Sequence, residues 1–326
     1  MSGPLGASLR RGGAVQLRAM AASHDRPAAR RRACPEASSS GFVRLCAGLL
    51  LASCSADVPE PAREPGRLRL VPTTVAAAEY AREVAAPEDF AALPEQVEQW
   101  SSRDFLAPPW GSLPRFARFA AEPLFEHRPS VVVCNAWQAS ETVAVLRAAG
   151  VRVVVLPAAL RHEDIEANLD LLGRELGREP EARAAKQRLR ERVLALRARA
   201  TSGWRAIAYT NDGVGGTASG EGTTIRTIME LAGLVDASGV RGHAVVDFET
   251  LLARDPDVFV VGAPSSDERG ATEALLLSTP ALAHMRAVRE RRIAVLPVDL
   301  YSTDSPTIID AAELLATRIE QLGGGR

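Results

Sequence analysis

Lysine is all but absent. Of the 39 basic side chains in 326 residues, Lys186 is the single lysine and the rest are arginine. Aromatic residues make up only 5 %, so a Trp or Tyr outside an apolar run needs a reason. There are four cysteines, and three of them fall within the first 54 residues. No apolar run reaches the roughly 20 residues that span a bilayer as a helix. The sequence has no G-x-S-x-G, H-E-x-x-H or C-x-x-C, and no G-K-[ST] to close a P-loop. Those absences remove the common hydrolase, metalloprotease, dithiol and P-loop readings. The few histidines show no metal-ligand spacing, so no metal site is expected.

Charge is unevenly placed. Residues 1–53 carry a net +6 and the remainder −7. An acidic body behind a basic leader argues against nucleic-acid binding, which needs a basic face on the folded part. In the leader, "RLCAGLLLASCSAD" (44–57) has the short apolar core and small residues of an export signal. "LASC" (51–54) resembles the lipobox of bacterial lipoproteins, making Cys54 the expected lipidation site and the membrane the expected anchor. Initiation nearer Met20 or Val43 would give the signal a more usual length. With Cys34 and Cys46 removed and Cys54 on the lipid, Cys134 in "VVVCN" stands alone as a small buried apolar residue.

The expected organisation is a leader (1–54), a proline-rich tether (55–66), an α/β lobe (67–177), a connecting helix (178–201) and a second α/β lobe (202–326). Strands are expected at 68–72, 95–100, 130–135, 152–157, 205–210, 257–264 and 292–297. Their apolar, β-branched runs read as buried parallel strands. Helices are expected at 74–85, 115–126, 139–149, 223–233, 246–255, 271–278, 280–290 and 307–323. In 178–200, Ala182, Ala185, Leu189, Val193, Leu196 and Ala200 recur at three- and four-residue steps. They mark one face of a single helix on the order of 30 Å long. Glu179 and Glu181 at its start and Arg197 and Arg199 at its end suit the helix dipole. The fold class is therefore α/β, two doubly wound lobes joined by one long helix, with a ligand cleft between them.

That order of elements behind a lipobox resembles the bacterial periplasmic binding proteins that capture ferric siderophores, cobalamin or haem for ABC importers. "RPSVVVCN", "LRAAGVRVVVLP", "IEANLDLLGRELGREPEA" and "VVDFETLLARDPDVFVV" each resemble local phrases of that family, from about residue 67 to 323. The resemblance implies capture and delivery rather than catalysis, by a monomer working with an ABC permease and its ATPase outside the cytoplasm. It also implies one permease-docking glutamate per lobe, matched by Glu141 and Glu249. The family's short glycine turn is replaced in 86–115 by "DFLAPPWGSLPRF", which would face the cleft and bring Arg103 and Arg115 near it.

Ligands of open α/β sheets sit beyond the carboxyl ends of the strands. Reading off those ends gives Thr74, Trp100, Trp137, Tyr209, Asn211 and Tyr301 as candidate contacts, and the aromatic Trp110 of the unusual segment is added to them. His243, in "RGHAVVD", is added as a candidate axial ligand for haem. Large aromatics suit flat or apolar chelates. The low aromatic content and the lack of an evident Tyr/His pair favour a ferric siderophore or cobalamin over haem. The competing reading is an α/β enzyme that binds a nucleotide on the glycine-rich loop 213–222. "GVGGTA" (213–218) satisfies G-x-G-x-x-G/A, but "SGEGTT" separates it from the following helix and places Glu221 where a phosphate would lie.

Overall fold

A computed structural model describes residues 68–199, 203–211, 213, 215–264 and 270–324. The leader, the tether and Cys54 lie outside the described residues.

The first lobe opens with β1 (Leu70–Pro72) and α1 (Val75–Val84). Next come β2 (Leu93–Pro94), α2 (Val97–Trp100), β3 (Arg115–Phe116) and α3 (Ala121–Glu126). It closes with β4 (Val131–Asn135), α4 (Ser140–Ala148), β5 (Arg152–Leu156) and α5 (His162–Leu176). Strands β1, β4 and β5 form a parallel sheet in the order β1-β4-β5, with Val71 opposite Val132 and Val132 opposite Val153. Every residue of β1 and β4 is buried, as a parallel strand covered on both faces requires.

Helix α5 ends on Gly177 at φ 66°, and the Arg178 N–H returns to Gly173 O at 2.7 Å. Glycine tolerates that left-handed cap, and the chain turns directly into α6 (Glu179–Arg199). The buried stripe of α6 is Ala182, Ala185, Leu189, Val193 and Leu196, the expected face.

The second lobe contains β6 (Arg205–Asn211), β7 (Gly216–Ser219), α7 (Thr224–Leu231), β8 (Val235–Asp236), β9 (His243–Val245) and α8 (Phe248–Arg254). It continues with β10 (Val258–Ala263), α9 (Ala271–Ser278), α10 (Arg286–Arg289), β11 (Ile293–Pro297), α11 (Val298–Tyr301) and α12 (Ile308–Ile319). The sheet order is β11-β10-β6-β7-β9, with β8 paired to β6. Strands β8, β10 and β11 run parallel to their neighbours, whereas β7 is antiparallel to both β6 and β9. One edge of β6 is thus shared: its first residues pair with β8 and its last four with β7.

A single apolar cluster runs from Leu70 in β1 through the stripe of α6 to Ile319 in α12. Both lobes therefore rest on the same long helix.

Several expectations are corrected. The expected strand 95–100 is the short helix α2. The expected helix 115–126 begins instead as β3, where Phe116 is buried beside β2, and turns helical only at Ala121. The expected helix 280–290 is a 3-10 turn at Pro280–Leu282 followed by α10. Helix α8 starts at Phe248 because the Asp247 carboxylate accepts the Thr250 N–H at 2.8 Å. Among the described residues no helix is long and apolar enough to cross a membrane.

Candidate functional site

In the first lobe the ends of β1 and β4 are tied together. Thr73 Oγ1 donates to Gln138 Oε1 at 2.5 Å, and Thr74 Oγ1 donates to Asn135 Oδ1 at 2.5 Å. Thr74 also accepts the Ala77 N–H at 3.0 Å as the cap of α1, so its hydroxyl is committed to structure. Beyond this knot Trp137 stands 70 % exposed, an indole held out from a rigid strand end. Trp100, at the end of α2, is half as exposed, at 36 %.

Trp110 is not at the cleft surface. It is 8 % exposed and makes edge-to-face contacts with Phe90 and Phe105, at centroid separations of 5.0 and 5.5 Å. The Arg82 guanidinium sits 4.9 Å over its ring. The segment around it is fastened from within, because Arg115 donates to the carbonyls of Phe105 and Leu113 at 2.8 Å and to Glu98 at 2.9 Å. Arg103 is likewise committed, 3.0 Å from Asp310 and 3.5 Å from Glu83. Neither of the two cations expected near the cleft is offered to a ligand.

In the second lobe Tyr209 and Asn211 also belong to the interior. Tyr209 is fully buried, and its hydroxyl accepts from Asn211 Nδ2 at 2.9 Å. Burial raises its phenol above the ordinary range. Asn211 uses its remaining groups internally, its N–H donating to Thr272 Oγ1 at 2.9 Å and its Oδ1 accepting from Gly213. Period two then makes Thr210 the residue of β6 that faces the other way.

On that face the structure assembles a polar group that the sequence did not announce. Register places Ala208 opposite Ser219 and Ser219 opposite His243, so Ser219 and His243 share a side of the sheet. Ser219 Oγ lies 2.8 Å from His243 Nδ1. Tyr301 leans over the same strands, with Thr210 Oγ1 donating to its hydroxyl at 3.4 Å and Ser219 a further partner. A Cβ on Gly262 would come within 3.0 Å of the Tyr301 ring, so a glycine there lets the ring pack closely on β10. Burial raises the Tyr301 phenol, which keeps it a neutral hydrogen-bonding group. The Tyr/His pair missing from the sequence thus exists in space, on either side of Ser219. Alternation along β7 was the available signal.

The glycine-rich stretch is not a phosphate cradle. Its residues 216–219 are strand β7, where a Cβ on Gly216 would stand 1.8 Å from Tyr209 Oη. Helix α7 is capped by the Thr223 hydroxyl, and Glu221 is occupied by Arg241 at 2.6 Å. Among the described residues the backbone N–H groups of a dinucleotide turn are therefore not assembled at a helix start.

Glu141 and Glu249 are both exposed, in the first turns of α4 and α8, and neither has an ion-pair partner among the described residues. No group of three or more His, Cys, Asp or Glu among the described residues is placed to hold a metal ion. A groove of about 460 Å³ between α6 and α12, lined by Arg192, Leu196, Asp310 and Leu314, contains none of the strand-end side chains.

Residues 112–300 match the model of a family described as periplasmic binding protein. No curated protein matches the sequence. Among solved structures the chain is similar to the apo haem-binding protein RhuT of Roseiflexus sp. RS-1, at 20 % identity and a TM-score of 0.65 over 79 % of this chain and 99 % of that one. It is similar to a periplasmic haem-binding protein of Pseudomonas aeruginosa at 24 % identity and a TM-score of 0.63, covering 76 % and 91 %. A third is from an Fe3+-hydroxamate transport system of Saccharomonospora viridis, at 20 % identity and a TM-score of 0.60, covering 78 % and 93 %. These likenesses establish the two-lobed fold with a cleft.

Proposed function

The chain belongs to the periplasmic binding protein family, and on that premise we propose that it captures a metal chelate outside the cytoplasm and delivers it to an ABC permease and its ATPase. The cargo is an iron chelate or cobalamin, taken between the lobes without any bond being made or broken. What supports this reading is an exposed Trp137 just beyond β4 in the first lobe and, separately, the Tyr301, Thr210, Ser219 and His243 group on the sheet of the second. Together they offer one aromatic face and several neutral donors, the chemistry of a site for a large, largely apolar chelate. Glu141 and Glu249 serve as the permease contacts, one per lobe, and Cys54 carries the lipid anchor of a monomeric protein.

One observation favours haem as the particular chelate. Ser219 Oγ lies against Nδ1 of the exposed His243, and in the tautomer whose Nδ1–H donates to that oxygen Nε2 is the unprotonated nitrogen an axial iron ligand needs. The test is a tryptophan-fluorescence titration with haemin, cyanocobalamin and a panel of ferric hydroxamates and catecholates, with NAD and ATP alongside. Saturable quenching by one chelate, lost in Trp137→Phe, is expected. For haemin, a Soret band that shifts in His243→Ala identifies the axial ligand. Binding of a nucleotide and of no chelate refutes the import reading.

A further inference from the structure

Glu79 sits in the middle of α1, within the apolar stretch "AAAEYA", and is only 4 % exposed. A buried carboxyl costs desolvation that an Ala or Leu at the same helical position would avoid. Its partners come from two distant segments. Ser101 Oγ, beyond α2, donates to Oε1 at 2.5 Å. Ser305 donates to Oε2 from the second lobe, joined there by Thr307 at 3.3 Å.

Ser305 and Thr307 belong to the turn between α11 and α12, immediately after Tyr301. That turn is a closed hydroxyl cluster: Thr303 Oγ1 lies 3.1 Å from Ser305 Oγ and 2.6 Å from Thr307 Oγ1, which is 2.9 Å from Ser305 Oγ. Its backbone is held by the same oxygens, with the Ser305 N–H on Thr303 Oγ1 and the Thr307 N–H on Ser305 Oγ. All three hydroxyl residues are buried. The only acceptor that reaches this cluster from the other lobe is the Glu79 carboxylate, among the described residues. Arg103 reinforces the seam by pairing with Asp310 of α12 and Glu83 of α1.

We infer that Glu79 is a positioning residue of the cleft: through Ser305 and Thr307 it locks the 303–307 turn to α1, fixes where Tyr301 stands, and so governs how long the cargo is retained. The inference rests on the reading that Tyr301 faces the cargo.

Amide hydrogen exchange on the full chain tests the lock without any ligand, and stopped-flow release of haemin, cyanocobalamin and ferrioxamine tests the consequence. Glu79→Ala and Ser305→Ala speed exchange of the Ser305 and Thr307 amides about tenfold and raise the chelate off-rate by a similar factor, while β4 amides are unchanged. Glu79→Gln, which keeps a carbonyl acceptor for Ser305, retains wild-type values for both. Ser305→Ala stands in if Glu79→Ala does not fold, read at the amide of residue 305, whose Thr303 Oγ1 acceptor it keeps, because the Thr307 N–H loses its own Ser305 Oγ acceptor in that variant. Unchanged exchange at the turn in the folded variants overturns the lock. Faster exchange with an unaltered off-rate overturns the link to the cargo. If the wild-type protein binds none of the three chelates, the functional reading falls and takes the retention role with it, whereas tight wild-type binding that the variants leave untouched overturns this inference alone.

Discussion

Truncating Trp110 separates core from cleft. The side chain is 8 % exposed, wedged edge-on between Phe90 and Phe105 with Arg82 across its face. A buried aromatic of this kind removes about 150–250 Å² from water, or about 4–6 kcal/mol as an upper bound at about 25 cal/mol per Å². Core truncations of Phe and Trp to Ala cost about 3–5 kcal/mol, so about 4 kcal/mol is expected for Trp110→Ala. For a domain of this size that lowers the melting temperature by roughly 8–16 °C. Urea unfolding followed by far-ultraviolet circular dichroism reads the loss without depending on the missing indole. Chelate affinity in the folded variant stays at the wild-type level. Trp137→Ala is the mirror case: its indole is 70 % exposed, so stability moves by no more than about 0.5 kcal/mol while chelate binding is lost. If Trp110→Ala leaves the urea midpoint in place but abolishes binding, the assignment of this ring to the core is wrong.

Burial holds the Glu79 carboxyl above its ordinary value of 4.5, against the hydrogen bonds that pull it down. The folded state then keeps a proton that the unfolded chain has released. The stabilisation is full below pH 4.5 and is lost as pH rises through the raised value. The stability curve of Glu79→Gln accordingly falls less steeply with pH above that point. Asp304, also raised by burial, leaves a residual slope, and superimposable slopes for variant and wild type contradict the argument. Cys134 is fully buried in β4 and its thiol is pushed up to about 11. Mass spectrometry after alkylation at neutral pH should find the Cys134 peptide unmodified until denaturant is added, and modification in the native protein would contradict its inert packing. Gly216→Ala places a methyl against the Tyr209 hydroxyl and is expected to cost about 1–3 kcal/mol by thermal melting. A melting point equal to wild type would show that β7 does not pack on Tyr209.

The parts of the fold legible in the sequence were those whose burial is uniform. Strand β4 reads "VVVCN" and β10 "VFVVGA", continuous apolar runs with no exposed face to interrupt them. Helix α6 was legible because acids open it, arginines close it, and one apolar stripe runs between. Helix α5 went unassigned although Ile165, Leu169, Leu172 and Leu176 recur at helical steps and Gly177 stops it. Strand β7 was hidden because "GTAS" carries almost no strand propensity and is held by pairing on both sides. Trp110 and Tyr209 were misplaced for a common reason. An aromatic near a strand end or in a proline-rich loop has the same sequence signature whether it faces ligand or core, and only the distant Phe90 and Phe259 decide. Glu79 did leave a signal, a lone acid in an apolar helical run, but its partners lie 22 and 226 residues away.

What the structure adds most to the question of cargo is a statement about charge. Arg115 is spent on carbonyls and Glu98, and Arg103 on Glu83 and Asp310. The second lobe contributes hydroxyls, a neutral phenol and one imidazole from Thr210, Ser219, Tyr301 and His243. A strongly anionic catecholate complex would gain no free cation from Arg103 or Arg115, and uncompensated charge is expensive to desolvate. A neutral hydroxamate complex would give up far less water. On the proposed import reading Glu141 and Glu249 suit a partner rather than the cargo: each is exposed at a helix start on its own lobe, where a complementary arginine can reach it.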